Sequence, residues 1–187
     1  MTLPNFITIA RILLVPFIVW LIISGEMLLA FIAFLVAGIS DGVDGYLAKR
    51  WSQVTALGAH LDPLADKLLL VSIYVALGLG THLAPWLVIL VVSRDLLILG
   101  GLMLAWVMDR PMAIKPLVIS KVNTFGQILL AGSVLGVLGL GLELPGLIKL
   151  GSLVVGALTV ISGAVYLRDW FRYVANGNGS ADLPKKM

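Results

Sequence analysis

Four aspartates lie close together in a chain that is otherwise strongly apolar. Asp41 and Asp44 stand three residues apart, and Asp62 and Asp66, a short way along the chain, stand four apart. Residues three or four apart fall on nearly the same face of a helix, so each pair would form one carboxylate stripe. A carboxylate near the core of a membrane costs about 2.5 kcal/mol or more, so the cluster requires compensating charge.

Hard divalent cations are the partners that such a carboxylate cluster would select. Without cations, four facing carboxylates repel one another and protonation is favoured. Two Mg²⁺ or Mn²⁺ ions would balance the charge, and both metals prefer oxygen ligands. The chain has no cysteine and only two histidines, His60 and His82, so a zinc site is not indicated. We therefore predict that the four aspartates bind Mg²⁺ or Mn²⁺.

The elements that must position these aspartates are apolar helices. Of the 187 residues 60% are hydrophobic, and the mean hydropathy is +1.07, whereas a soluble domain is roughly half apolar. The sequence predicts an all-α membrane protein with six transmembrane helices and, at the end that carries the aspartates, a polar cavity for metal and nucleotide. The windows long enough to cross about 30 Å of hydrocarbon are Phe6 to Ser24, Met27 to Leu47, Pro63 to Leu79, Leu83 to Met108, Val122 to Leu142 and Leu147 to Trp170.

The charged residues predict the orientation of these helices. Loops on the side of both termini carry most of the lysines and arginines, including Lys49, Arg50 and Arg110. Because such loops stay on the cytoplasmic side, we expect the aspartates to face the cytoplasm of a bacterial inner membrane, or the matrix of a mitochondrion. Residues 1–175 are predicted to form one domain and the polar residues 176–187 a flexible tail. No basic run with interleaved aromatic residues indicates nucleic-acid binding.

The aspartates belong to a longer motif with fixed spacing. It runs Asp44-Gly-x2-Ala-Lys-x8-Gly-x3-Asp-x3-Asp66, and Asp41 precedes it by three residues. This pattern resembles the signature of the CDP-alcohol phosphotransferase family, although that signature has arginine where this chain has Lys49. Outside the motif, the stretches around Arg94 and Lys121 resemble the cardiolipin synthases of that family, of the mitochondrial type that uses CDP-diacylglycerol.

The resemblance implies a metal-dependent reaction carried out by a homodimer. A phosphatidyl group would pass from CDP-diacylglycerol to an alcohol, and CMP would be released. Asp66 would be a metal ligand and also the general base that accepts the proton of the acceptor hydroxyl. For the two glycines of the motif, close packing of helices is the alternative interpretation. The residues that the resemblance assigns to the metal ions and the cytidine nucleotide are Asp41, Asp44, Gly45, Ala48, Gly58 and Asp62.

The acceptor is predicted to be phosphatidylglycerol, which would make cardiolipin the product. An acceptor with a dianionic phosphate, such as glycerol 3-phosphate, requires several converging cations, whereas phosphatidylglycerol is a monoanion with two apolar tails. A phosphatidylglycerophosphate synthase, or another CDP-alcohol phosphatidyltransferase, remains the alternative. A membrane cation transporter is a more distant one, since transport needs acids along a path through the bilayer. The cations predicted to contact the substrates are Arg11, Lys67, Arg94 and Lys121.

Each of these cations also has a purely structural interpretation. Arg94 beside Asp95 suits a buried ion pair that joins helices as well as it suits ligand binding. Arg11 and Lys121 lie near the ends of predicted spans, where long basic side chains reach toward lipid head groups. Lys67 directly follows Asp66 and would neutralise the carboxylates there.

Overall fold

The computed structural model describes the backbone of residues 3–51, 56–107 and 118–175, and the side chains of residues 12–40, 67–100 and 118–170. The predicted tail, residues 176–187, lies outside these ranges. Within them the chain is helical and contains no strand, which confirms the predicted all-α fold of six helices. These are α1 (Leu3–Ile23), α2 (Met27–Trp51), α3 (Ala56–Leu79), α4 (Pro85–Val107), α5 (Val118–Gly139) and α6 (Pro145–Ala175).

Several helices extend beyond the apolar windows of the sequence. The second continues past Leu47 to Trp51, and the third begins at Ala56 instead of Pro63. Hydropathy defined the windows, but alanine, leucine, lysine and arginine are all strong helix formers, so the helices continue into the polar motif. Helix α3 therefore contains Pro63. A proline inside a helix is tolerated where neighbouring groups satisfy the freed backbone carbonyl. All four aspartates consequently belong to helices.

The helices pack into a closed ring in the order α2, α1, α3, α4, α6, α5, with α5 returning to α2. A further contact between α3 and α5 crosses the ring. The buried core follows these contacts and includes Ile18 of α1, Tyr74 of α3 and Leu135 of α5. At one contact between α5 and α2, a Cβ on Gly139 would lie only 2.7 Å from the Leu28 Cα. A side chain at that position would separate the two backbones.

Three tight turns connect helices at the end of the bundle opposite the aspartates. In each, a backbone N–H bonds the carbonyl five residues earlier, at 2.9 Å: Glu26 to Leu21, His82 to Leu77 and Leu142 to Val137. The residue before each donor has positive φ: Gly25 at 81°, Thr81 at 60° and Gly141 at 65°. This is the Schellman geometry, which satisfies orphan carbonyls at a helix end. It also explains why α5 ends before Leu142, the end of the predicted window.

The outer surface of the bundle is apolar, whereas several polar side chains are buried. Large hydrophobic residues are more than two-fifths exposed on every helix, for example Trp20, Ile32, Leu68, Ile89, Phe125 and Leu153. Among the described residues, Val118–Gly139 and Pro145–Trp170 have the length and hydropathy needed to cross a membrane. Shorter apolar helical stretches lie at Ile12–Ile23, Met27–Ser40 and Lys67–Leu79.

Candidate active site

The motif residues occupy the neighbouring ends of α2 and α3, which we call the aspartate end. Asp41 and Asp44 lie in the last turns of α2, and Asp62 and Asp66 lie in the first half of α3. Their spacing within regular helices keeps each pair on one face, as metal ligands would require. Their side chains lie outside the described residues, and so do those of the other motif positions, Gly45, Ala48 and Gly58.

An ion cluster that includes Lys67, the residue directly after the motif, links α3 to α4. The Lys67 Nζ donates to Asp95 Oδ1 at 2.8 Å, and the same oxygen accepts from Arg94 Nη1 at 2.5 Å. The side chain of Asp95 is 1% exposed, whereas that of Lys67 is 21% exposed. One carboxylate therefore serves two cations, and the cluster of three residues carries a net charge of +1 when all are ionised.

The guanidinium of Arg94 joins three helices. Its second terminal nitrogen, Nη2, donates to Ser120 Oγ of α5 at 2.6 Å and to Ser162 Oγ of α6 at 2.7 Å. Arg94 itself is 3% exposed. The sequence left open whether this arginine forms a buried ion pair or binds ligand, and the ion pair with Asp95 is present. Its role toward substrate stays a prediction.

A second polar layer lies farther from the aspartate end. Thr159 of α6 donates from Oγ1 to Asn123 Oδ1 at 3.0 Å, and Tyr74 donates from its hydroxyl to the backbone carbonyl of Gln127 at 3.1 Å. Asn123 and Gln127 are completely buried. Within the described part of the chain, Asn123 Nδ2 and both amide atoms of Gln127 have no hydrogen-bond partner. Such groups normally have a partner in a native structure, often an ordered water.

Of the other two predicted cations, the structure describes the side chain of Lys121. Lys121 is exposed near the start of α5, so it is on the outer side of the helix that carries the buried Asn123. Arg11 belongs to α1, but its side chain is not among the described ones. Among the side chains that are described, no group of three or more histidine, cysteine, aspartate or glutamate residues gathers as a metal site would require. The predicted metal ligands, the four aspartates, fall outside that search.

The sequence paired Arg94 with Asp95, but it did not indicate the contact between Lys67 and Asp95 or the serines that bond Arg94. Lys67 and Asp95 are 28 residues apart, so their contact depends on how α3 packs against α4. Ser162 was not singled out at all. A usable signal was nevertheless present, because polar residues at helical spacing in apolar segments normally face one another. Those residues are Ser120, Asn123 and Gln127 in α5, and Thr159 and Ser162 in α6.

An open apolar groove lies on the outer side of the same region, between α4 and α6. Its volume is about 540 Å³, within the range of about 300–1,000 Å³ that is usual for small-molecule sites. The groove shares helix α4 with the ion cluster, since Ser93 and Leu96 flank Arg94 and Asp95 in the chain. Its lining residues are Ser93, Leu96, Leu97 and Gly100 of α4, and Tyr166, Leu167 and Trp170 of α6.

Comparison with known proteins identifies relatives over most of the chain. A probable cardiolipin synthase (CMP-forming) of Drosophila melanogaster is 36% identical over 152 residues, which are 73% of this chain and 47% of the fly protein. The human cardiolipin synthase (CMP-forming) is 33% identical over 148 residues, 71% of this chain and 49% of the human protein. A chloroplastic CDP-diacylglycerol–glycerol-3-phosphate 3-phosphatidyltransferase of Oryza sativa is 37% identical over 152 residues, 72% of this chain and 46% of the rice protein.

The chain spans about half of the length of these three relatives. Two are named as cardiolipin synthases and one as a transferase to glycerol 3-phosphate, so identity at this level does not select one reaction. The family model for CDP-alcohol phosphatidyltransferases matches residues 1–167. This range includes the whole aspartate motif and the ion cluster. The chain belongs to the CDP-alcohol phosphatidyltransferase family.

Proposed function

We propose that this protein transfers a phosphatidyl group from CDP-diacylglycerol to phosphatidylglycerol, giving cardiolipin and CMP. The observation that carries the proposal is the aspartate motif, Asp44 to Asp66 with Asp41 before it, on two consecutive helices inside the matched family domain. Relatives named as cardiolipin synthases support the choice of reaction. In this reaction the acceptor hydroxyl oxygen bonds to the phosphatidyl phosphorus, the bond to the CMP oxygen breaks, and the hydroxyl proton is taken up by a base.

The chemistry assigns distinct roles to the aspartates. Asp41, Asp44, Asp62 and Asp66 would hold Mg²⁺ or Mn²⁺, which would withdraw negative charge from the pyrophosphate of the donor. Asp66 takes the proton from the acceptor hydroxyl, since a positioned carboxylate is a suitable general base. Gly45 and Gly58 have no side chain and Ala48 has only a methyl group, so the cytidine nucleotide would be able to approach the backbone closely at these positions.

An integral membrane location is part of the proposal. Its support is the arrangement of the bundle, with apolar side chains exposed on all six helices and polar ones buried. A soluble monomer rarely exposes such a continuous apolar surface. We propose that all six helices span the membrane, with the aspartate end on the cytoplasmic or matrix side, where the basic loops lie. A homodimer is the expected assembly, because the family resemblance implies one.

The buried ion cluster favours phosphatidylglycerol over glycerol 3-phosphate as acceptor. Arg94 is almost fully buried and committed to Asp95, Ser120 and Ser162, and Asp95 cancels one of the two positive charges. A net charge of +1 matches the monoanionic diester of phosphatidylglycerol, whereas a dianionic phosphate calls for several converging cations. Lys67 is the partly exposed member of the cluster and would contact that phosphate. Arg11 and Lys121 would supply further positive charge near the head groups.

The groove between α4 and α6 provides a route for a lipid tail. It is open on the outer face of the bundle and is lined mainly by leucine and aromatic side chains. The groove reaches the level of Arg94 and Asp95 at Ser93 and continues from there toward the aspartate end, so an acyl chain in it would lie beside the part of the bundle that carries the proposed site. Phosphatidylglycerol brings such tails, whereas glycerol 3-phosphate does not.

The test is CMP release by the purified protein in detergent, with CDP-diacylglycerol, Mg²⁺ or Mn²⁺, and either phosphatidylglycerol or glycerol 3-phosphate. Mass spectrometry identifies the lipid product. Cardiolipin from the first acceptor supports the proposal, whereas phosphatidylglycerophosphate from the second reassigns the acceptor. If no CMP is released with either acceptor, inositol, serine and choline are the next acceptors to test. Ion flux in sealed liposomes without the donor would favour the transporter.

The variant Asp66→Asn tests the assignment of the base. It removes the proton acceptor but keeps nearly the same volume, so we expect CMP release to fall by at least about 100-fold. Size-exclusion elution and thermal unfolding serve as folding controls. Wild-type turnover by Asp66→Asn would show that another group takes the proton.

A further inference from the structure

We propose that Asp95 is a positioning residue for the acceptor site: it holds the ammonium of Lys67 where the acceptor phosphate binds. This inference rests on the proposed function and deepens it. The carboxylate lies on α4, but it accepts a hydrogen bond from Lys67 of α3 at 2.8 Å. Lys67 directly follows Asp66, the proposed base, so fixing this ammonium fixes a positive charge one residue from the proton acceptor.

Burial assigns different roles to the three members of the cluster. Asp95 is 1% exposed, and Arg94 is nearly as buried. Arg94 is also bonded to Ser120 and Ser162, so the carboxylate is itself held in place from α4, α5 and α6. The exposed fraction of Lys67 is 21%, which leaves its ammonium able to reach a bound anion. The arrangement is thus a rigid buried support with one accessible cation.

Lysine needs such a support more than arginine does. Its ammonium is a compact charge on a flexible stem, whereas the guanidinium of arginine is planar and fixes its own geometry. A free Lys67 would distribute over many rotamers and would lose that freedom when the acceptor binds. By bonding Lys67 beforehand, Asp95 removes much of this entropy loss from the binding step.

A role of Asp95 in positioning Lys67 and a purely electrostatic role predict opposite changes in the KM of the acceptor when Asp95 is removed. The variant Asp95→Asn changes the charge of the cluster from +1 to +2. If Asp95 contributed only its charge, the anionic acceptor would bind more tightly and its KM would fall. If Asp95 positions Lys67, the KM of the acceptor rises despite the added positive charge.

The experiment measures initial rates of CMP release by the full-length protein in detergent. Phosphatidylglycerol and glycerol 3-phosphate are both offered with CDP-diacylglycerol, and the acceptor that the wild-type protein uses is then varied. For Asp95→Asn we expect kcat/KM for the acceptor to fall by at least about tenfold, as for a lost hydrogen bond to a charged group. The KM for CDP-diacylglycerol should stay within about twofold, since the donor is bound by other residues.

A double-mutant cycle separates positioning from general damage to the fold. In a Lys67→Met background, Asp95→Asn should lower acceptor kcat/KM by less than about threefold, because the side chain that it orients is already gone. Asp95→Glu keeps the charge and should recover part of the loss. Tyr74→Phe is the matched control, since it removes a different buried hydrogen bond of α3; both KM values should stay at the wild-type level.

A failure of the positioning role of Asp95 can be told apart from a failure of the proposed function by the activity of the wild-type protein. If the wild-type protein releases no CMP with either glycerol-containing acceptor, the proposed function fails and the role of Asp95 fails with it. If the wild type is active and Asp95→Asn lowers the acceptor KM, or leaves it unchanged, only the positioning role is overturned. Additive losses in the Lys67→Met cycle also overturn it. If Asp95→Asn cannot be purified, Asp95→Glu decides: its displaced oxygens must raise the acceptor KM but not the donor KM.

Discussion

Replacing Arg94 by methionine should destabilise the bundle strongly. The wild-type guanidinium bonds Asp95, Ser120 and Ser162 and so joins α4, α5 and α6. Breaking a buried ion pair by removing one partner costs about 3–5 kcal/mol. The lower end applies here, because Asp95 keeps its bond to Lys67. Interhelical hydrogen bonds inside membrane proteins average about 0.6 kcal/mol each, so with the two serine contacts we expect a loss of about 4 kcal/mol.

Thermal unfolding in detergent measures this loss. For a chain of this size, 1 kcal/mol corresponds to about 2–4 °C in the midpoint, so Arg94→Met should unfold about 8–16 °C below the wild type. Arg168 provides a matched control, because it also pairs with the aspartate that follows it. That pair is 3.4 Å long, and its side chains are 61% and 43% exposed. Exposed ion pairs contribute about 0–1 kcal/mol, so Arg168→Met should lower the midpoint by no more than about 4 °C.

The comparison between the two arginines tests burial as the cause. Both have an adjacent aspartate and both carry the same charge, but only Arg94 lies inside the ring of helices. If Arg94→Met lowers the midpoint no more than Arg168→Met does, the buried network does not stabilise the bundle, and the reasoning from burial and hydrogen bonding is wrong.

Two further predictions concern stability away from the ion cluster, and both use the same thermal assay. Thr81→Gly should raise the midpoint by about 2–8 °C, because a β-branched residue at positive φ costs about 1–2 kcal/mol that glycine does not. Gly141→Ala, at the equivalent turn of α5, should lower it. A lower midpoint for Thr81→Gly would mean that the threonine side chain stabilises the turn. Gln127→Leu should raise the midpoint by about 2–12 °C, since it removes a buried carboxamide without described partners, a defect worth about 1–3 kcal/mol. A lower midpoint would show that the carboxamide is hydrogen-bonded in the native protein.

The number and type of helices could be predicted from the sequence because apolar windows of sufficient length have few alternatives. Their ends were less predictable. Gly25 and Gly141 mark two turns in the expected way, but the third turn has Thr81 at positive φ, which no sequence rule favours. At the aspartate end, hydropathy placed the start of α3 at Pro63, whereas helix propensity extends that helix back to Ala56.

The site was predictable along each helix but not between helices. Spacing alone puts Asp62 and Asp66 on one face, because a regular helix fixes that relation. The contact of Lys67 with Asp95 depends on the rotation of α3 relative to α4, which no local pattern specifies. Arg94 illustrates the consequence: an ion pair and a ligand contact were equally compatible with the sequence, and packing against α5 and α6 was needed to identify its partners.

On the proposed function, the polar network links stability with substrate binding. Between helices in a bilayer, apolar burial provides little driving force, because lipid tails are as apolar as leucine. In the proposed membrane location, packing and interhelical hydrogen bonds therefore hold the helices, and Arg94 and Asp95 supply several of those bonds in the cluster that also contains Lys67. A variant in this cluster should change both the unfolding midpoint and the kinetics. For that reason loss of activity alone says little about Asp95, whereas a rise in the KM of the acceptor without a rise in the KM of the donor identifies its role, since a general loss of structure would affect both substrates.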